Sequence, residues 1–227
     1  RELEILLSIG EEKHVKGAKV FDFSKIQAEK SIVLDMSGEI GTAAVQAPSQ
    51  IAFTVKVRGK ASHAGFAPQD GVHAIRIAAA AIAEMAIGRI GDDTTVNVGQ
   101  IEGGRASNIV PDYCEVSGEL RSFSHKKALE ELAKAEKRGG SIEFIRDICY
   151  QAYKTDENES VVKEFQKACM ACGIKSSLIA TFGGSDQNKM SEHGIPGIVM
   201  ASAMHQVHSC QEYTEVSEMA QVAGIVS

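Results

Sequence analysis

Four acidic or imidazole side chains follow apolar runs of this 227-residue chain and could support metal-dependent chemistry: Glu11, Glu12, Asp35 and His208. Carboxylate and imidazole groups bind Zn²⁺ at about 2.0–2.2 Å, and a water on such a metal ionises at about pH 7. The tandem Glu11-Glu12 could supply one ligand and one general base for hydrolysis. The residues alone leave this open, because an acidic residue after a strand can equally cap a helix or face solvent.

The elements that must position these groups are buried strands of an α/β sheet. The runs Leu3–Ile9 and Ser31–Leu34 are almost continuously apolar, which predicts parallel strands covered on both faces. Open α/β sheets place their sites beyond the carboxyl ends of such strands. The sequence therefore predicts that Glu11, Glu12 and Asp35 belong to a site of this kind.

The pattern changes between residues 48 and 151. A predicted strand over Ile51–Val57 alternates apolar with polar residues, and apolar residues then recur at helical spacing from Val72 to Ala86. Two more strands, a charged helix over 124–137 and a last strand over 142–148 follow. The order β-α-β-β-α-β predicts a ferredoxin-like unit.

The helix and buried-strand pattern returns after Tyr153. It comprises a helix over 157–172, strands over 178–182 and 198–200, and a helix over 215–226. The predicted fold class is therefore α/β, with a discontinuous domain over 1–47 and 152–227 and an inserted βαββαβ domain over 48–151. Because the discontinuous domain would hold few strands, we expect more sheet upstream of Arg1.

Composition excludes several classes of protein. The net charge is −6 without a basic stripe, Trp is absent and aromatics are 5%, which argues against nucleic-acid binding. The chain has no run of about 18 apolar residues, which is the length needed to span a membrane.

The spacing of the five cysteines does not match a disulfide framework, which predicts a reducing, cytoplasmic location. Cys169 and Cys172 are predicted to be buried thiols on one helix face.

Six short motifs run along essentially the whole chain: Gly10-Glu11-Glu12, Val33-Leu34-Asp35, Gly59-Lys60-Ala61-Ser62-His63-Ala64-Gly65, Gly103-Gly104 with Ser107-Asn108-Ile109-Val110-Pro111-Asp112, Gly183-Gly184-Ser185-Asp186, and Val207-His208 with Glu212. In these motifs and their order the chain resembles the co-catalytic zinc exopeptidases and deacylases, which include tripeptidase T, glutamate carboxypeptidase and aminoacylase. It resembles the tripeptidase-like branch most.

The resemblance implies a zinc-exopeptidase domain with an inserted lid and dimerisation domain. It implies that Glu11 is the general base, that Glu12 and His208 bind one metal, and that Asp35 binds the other. His63 would reach from the lid of a dimer partner to polarise the scissile carbonyl.

The resemblance also implies a substrate site and a cofactor. The carboxylate end of a small peptide would be held by Asn108, Arg121 and Gly183. For Arg121, a solvated charge at the rim of its strand remains an equal alternative. The expected cofactor is two Zn²⁺ per complete site, with Co²⁺ or Mn²⁺ as substitutes.

Two departures from the family pattern bear on activity. The family's first metal-binding His and bridging Asp lie upstream of its Glu pair, where this chain has no residues, and Lys13-His14 replace Ile/Leu-Gly. We expect a zinc metallopeptidase of tripeptidase, aminopeptidase or carboxypeptidase type, although the 227 residues alone need not be active. The alternatives are an N-acyl-amino-acid deacylase, or a non-catalytic dimerisation module if the chain begins at Arg1.

Overall fold

A computed structural model describes residues 3–136 and 142–227, and for residues 134–136 it describes the backbone alone. The chain divides into a first unit, Arg1–Pro48 with Tyr150–Ser227, and a second unit, Ser49–Cys149. The predicted domain limits were 47/48 and 151/152. No helix among the described residues is both long and apolar enough to cross a membrane.

The described residues form ten strands and six α-helices. The strands are β1 (Ser31–Met36), β2 (Thr42–Ala47), β3 (Ser49–Arg58), β4 (Gly88–Arg89), β5 (Thr94–Gly103), β6 (Tyr113–Ser122), β7 (Ile142–Tyr150), β8 (Tyr153–Lys154), β9 (Ser177–Ala180) and β10 (Gly197–Ala201). The helices are α1 (Lys16–Val20), α2 (Ala74–Glu84), α3 (His125–Glu136), α4 (Ser160–Ala171), α5 (Asp186–Glu192) and α6 (Val216–Val226).

The first unit is built on a mixed sheet in which β1, β10, β2 and β8 are neighbours and β9 also pairs with β2. β1 and β10 are parallel, whereas β2 is antiparallel to β10. Helices α4 and α6 pack together, and the core joins Phe165 of α4 and Val222 of α6 to Ile198 and Met200 of β10. This core fixes β10, the strand that leads into the loop carrying His208.

The parallel register of β1 and β10 breaks at Asp35. Leu34 pairs with Met200, Met36 pairs with Ala201, and the register shifts between them. A bulge leaves one residue unpaired and re-aims its side chain. Asp35 thus lies at the end of β1, beside the strand end from which the His208 loop departs.

The second unit has the sheet order β4-β5-β6-β3-β7. Helix α2 packs over β3, β5 and β6 through Ala74 and Ala78, and α3 packs over β3 and β6 through Ala128 and Leu132. The alanines at these contacts let the helices approach the sheet closely. The α/β fold class and the β-α-β-β-α-β order are confirmed, with the short β4 added before β5. Residue 137 of the predicted helix and Gly139-Gly140 lie outside the described residues.

The predicted strand over Leu3–Ile9 is wrong. This segment forms no strand, and the side chains of Leu3, Ile5, Leu7 and Ile9 are 73–88% exposed. An apolar run becomes a strand only where another strand accepts its hydrogen bonds, and no strand among the described residues pairs with this run.

One of the two thiols predicted to be buried is exposed. Cys169 is buried in the core, whereas Cys172 is exposed because α4 ends at Ala171 and Cys172 is its cap residue. Strand β2 was not predicted, because its alanines favour strands weakly. Its pairing with β9, β10 and β8 determines its conformation instead.

Asn188 holds the two chain segments that enter and leave the second unit. Its buried amide donates to the carbonyls of Pro48 and Gln151 at 3.0 and 2.7 Å, and its oxygen accepts from Ser185 N–H at 3.1 Å. We expect Asn188→Ala to lower the free energy of unfolding by about 2–4 kcal/mol, because buried backbone groups lose their partners. Urea unfolding measures this, with the exposed Gln69→Ala as control. A loss equal to that of the control would contradict the assigned role.

Candidate active site

The Glu11-Glu12 segment is held by a compact series of turns before α1. Val15 N–H donates to the carbonyl of Glu11 at 2.8 Å, and Gly17 N–H donates to that of Ile9 at 2.9 Å. Gly17 is required there, because a Cβ would lie 2.4 Å from the Ile9 oxygen. Val15 adopts φ 50° although it is β-branched, which is a strained conformation. The buried Val15 side chain offsets this strain and fixes the turn.

The loop after β10 carries His208 and is closed at its base by His205 and Tyr213. Their backbones form an antiparallel bridge, and their rings stack at 4.8 Å. His205 Nε2 also lies 2.5 Å from a carboxylate oxygen of Glu218 on α6. His208 has φ 61°, and its N–H donates to the Glu212 carboxylate at 3.2 Å. Strained residues of this kind cluster at functional sites.

The predicted residues Glu11, Glu12, Asp35 and His208 form one electrostatic cluster. His208 Nδ1 lies 3.6 Å from the Glu12 carboxylate. Desolvation first, and then repulsion by Asp35, Asp186 and Glu12, raises the pKa of Glu11 to about 7. Desolvation, followed by repulsion from Glu12 and Asp186, raises the pKa of Asp35, and His208 opposes this rise.

The structure adds Asp186 to this cluster. The residue belongs to the Gly-Gly-Ser-Asp motif, but the sequence did not predict a role for it. Ser8 donates a hydrogen bond to one oxygen of the Asp186 carboxylate. The other oxygen is buried and has no hydrogen-bond partner among the described residues. The Gly-Gly-Ser-Asp motif was the available signal, but its position next to Glu11 and Asp35 follows from the chain path.

The loop before Asp186 owes its shape to two local constraints. Gly184 packs against the Tyr150 ring, where a Cβ would lie 2.0 Å from a ring carbon. Ser185 caps α5 in a reciprocal capping box with Asn188. These contacts hold Asp186 at the start of α5, so its carboxylate stays near the cluster.

The donor chemistry of this cluster suits a metal cation. Four carboxylates and one imidazole interact electrostatically, and desolvation, followed by repulsion among the carboxylates, raises the pKa of Glu11 and of Asp35. Glu12, Asp35 and His208 are the predicted ligands. As they stand, no three His, Cys, Asp or Glu side chains of residues 3–136 and 142–227 are arranged to hold a metal ion.

Within the second unit, His63 and Asn108 lie together in exposed loops. Ala64 N–H donates to the Asn108 carbonyl at 2.9 Å, and His63 forms a backbone bridge with Ile109. Both side chains are exposed, as their predicted roles require.

Arg121 lies near the other end of β6 from these loops. It is eight residues from Tyr113, or roughly 25 Å at 3.2–3.4 Å per residue. Its guanidinium contacts Glu119 at 2.9 Å. One protomer therefore does not bring Arg121 together with His63 and Asn108. Gly183 is exposed and belongs to the first unit.

The metal-free chain should lose stability as pH rises from 4.5, the ordinary pKa of Glu11, to its folded value of about 7. In this range the folded state retains a proton that the unfolded state has lost, so each increase in pH favours unfolding. Glu11→Gln should remove this component of the slope. Urea unfolding in EDTA across this range measures it, with the exposed Glu29→Gln as control. Equal slopes for both variants would contradict the raised pKa.

Comparisons with known proteins agree with this architecture. The sequence model of the M20 peptidase dimerisation domain matches residues 47–138. The uncharacterized protein YqjE of Bacillus subtilis is 35% identical over 232 residues, covering 99% of this chain and 62% of that protein.

Two solved structures superpose with a TM-score of 0.88. They are aminopeptidase PepT from Bacillus cereus, 36% identical, and a tripeptidase from Staphylococcus aureus, 31% identical, and each match covers 96% of this chain and 61% of the other. The chain thus spans about three fifths of the length of these relatives. It carries an M20 peptidase dimerisation domain, and its structural neighbours are the PepT tripeptidases and other M20 family peptidases.

Proposed function

We propose that this chain is the larger part of a metal-dependent exopeptidase that hydrolyses a terminal amide bond of small peptides. The observation that carries the proposal is the position of Glu11, a carboxylate with a pKa of about 7, beside Glu12, Asp35 and His208. A general base works best when its pKa is close to the working pH. The names of the tripeptidase and aminopeptidase neighbours support a peptide substrate.

Glu11 would take a proton from the attacking water and later deliver it to the leaving amine. Both transfers need a carboxyl group that exchanges its proton readily at neutral pH. In the metal-free chain, desolvation and then repulsion by Asp35, Asp186 and Glu12 raise the pKa of Glu11 to about 7. Asp186, held by Ser8, contributes to that environment without contacting the reacting atoms in this proposal.

The metal would be held by Glu12 and His208 at one position and by Asp35 at the other. The bound metal supplies a polarised, readily ionised water and balances the charge of the carboxylates. Glu212 and the His205–Glu218 contact fix the backbone on either side of His208, which keeps its imidazole oriented towards Glu12. Zn²⁺ suits this donor set, and Co²⁺ or Mn²⁺ would be accepted in its place.

His63 and Asn108 would contact the substrate from the second unit of a partner protomer. Their loops are exposed, and they lie at the opposite end of the sheet from Arg121. A homodimer formed through the M20 dimerisation domain would let one protomer contribute His63 and Asn108 to a site. Arg121, near the other end of β6, would lie on a separate surface. A cytoplasmic location fits the five cysteines, and we propose it on that basis alone.

Glu11→Ala is expected to reduce turnover of a tripeptide by more than about 10²-fold with the metal content unchanged, because the proton carrier is lost. Steady-state kinetics and elemental analysis measure the two effects, with Glu29→Ala as the matched control. Full activity of Glu11→Ala would refute the assignment. Turnover of an N-acetyl amino acid in preference to the tripeptide would instead favour a deacylase.

Mixing two inactive variants tests the contribution of His63 across the dimer. Glu11→Ala and His63→Ala should each be inactive, whereas random subunit exchange should restore about one quarter of the sites, because half the dimers are mixed and each has one intact site. Light scattering tests whether the protein forms a dimer. If the dimers exchange subunits and activity does not return, His63 acts in the site of its own chain or lies outside the site.

A further inference from the structure

His63 accepts two backbone hydrogen bonds on the same ring nitrogen. The N–H of Gly65 lies 3.1 Å from His63 Nδ1, and the N–H of Phe66 lies 3.3 Å from it. The donors lie two and three residues after His63, so the contact is made within a single turn. Ala67 N–H donates to the carbonyl of His63 at 3.0 Å, which closes the turn.

A neutral imidazole has one protonated and one unprotonated nitrogen, and only the unprotonated one accepts a hydrogen bond. Two N–H groups directed at Nδ1 therefore require the proton of the neutral ring to reside on Nε2. A proton on Nδ1 would oppose both amides and leave them without this acceptor. The turn thus selects between two tautomers that are otherwise close in free energy.

The turn is anchored by backbone contacts, and one face of the imidazole contacts the Phe66 ring. Ala64 N–H donates to the Asn108 carbonyl, and His63 bridges Ile109. The Phe66 ring lies 4.3 Å from the imidazole at 33° and is itself 85% exposed. The position and plane of the imidazole are therefore fixed from two sides, although its Nε2 edge belongs to an exposed side chain.

We infer that Gly65 and Phe66 are positioning residues that hold neutral His63 as its Nε2–H tautomer and so make it a hydrogen-bond donor at its free edge. A donor is what stabilisation of a developing oxyanion requires, whereas an unprotonated Nε2 would repel it. This catalytic meaning rests on the proposed function. The tautomer itself does not, because it follows from contacts within the second unit.

Nitrogen-15 NMR of the ring, correlated through the carbon-bound ring protons, identifies which nitrogen carries the proton. At about pH 8.5 an imidazole with an ordinary pKa is neutral. We expect His63 to show a protonated Nε2 and an unprotonated Nδ1. His73 should give the same pattern, because its Nδ1 accepts from Arg76 N–H at 3.2 Å. The exposed His14 serves as the averaged reference.

Two variants of Gly65 separate the loss of its N–H from the addition of a side chain. Gly65→Pro removes one of the two donors and should lower the excess of the Nε2–H tautomer, although Phe66 N–H still donates to Nδ1. Gly65→Ala keeps the N–H and should leave the tautomer unchanged. The added Cβ of Gly65→Ala would meet the imidazole at 3.5 Å, which is an ordinary contact. An unchanged His73 pattern shows that the second unit remains folded.

The inference is overturned if His63 of the unmodified chain is protonated on Nδ1 or exchanges between tautomers. Neither outcome depends on metal content or peptide turnover. An inactive protein with the expected tautomer would count against the proposed function alone.

Discussion

The parallel pairing of β1 with β10 is the interaction on which the candidate site depends. It brings the end of a strand near the start of the chain, with Asp35, next to a strand more than 160 residues later, from which the His208 loop departs. The register of this pair shifts between Leu34 and Met36, and Asp35 lies at that irregularity. The core of Ile198, Met200 and Phe165 keeps β10 fixed, so the site is positioned by one buried strand, β10, whereas β1 is only partly covered.

The same site carries electrostatic and conformational costs. Glu11, Glu12, Asp35 and Asp186 are close enough to repel one another, and His14, Val15 and His208 have left-handed backbone conformations. Such costs persist only where surrounding contacts compensate for them. Here the buried Val15 and the stacked His205 and Tyr213 provide that compensation. Repulsion and strain that packing offsets are typical of ligand-binding sites, which are often less stable than the rest of a protein.

The second unit presents its predicted site residues differently. His63 and Asn108 lie in loops beyond the sheet, and backbone hydrogen bonds fix their positions while their side chains remain exposed. A rigid ferredoxin-like sheet with helices packed on it is a suitable support for such loops. Because Arg121 lies near the other end of β6, the predicted substrate contacts of this unit divide into two separate surfaces.

The sequence by itself determined the fold class, the inserted β-α-β-β-α-β unit and four members of the cluster, Glu11, Glu12, Asp35 and His208. Periodicity and ordered motifs encode these features locally, so they can be read without coordinates. Only the tertiary structure decided that Leu3–Ile9 is unpaired, that β2 is a strand, and that Asp186 joins the cluster. Each of these depends on which distant segment lies alongside: a partner strand for hydrogen bonds, or a neighbouring carboxylate for repulsion. The tautomer of His63 also required coordinates, since it depends on the direction of two backbone N–H groups that the residue types leave unspecified.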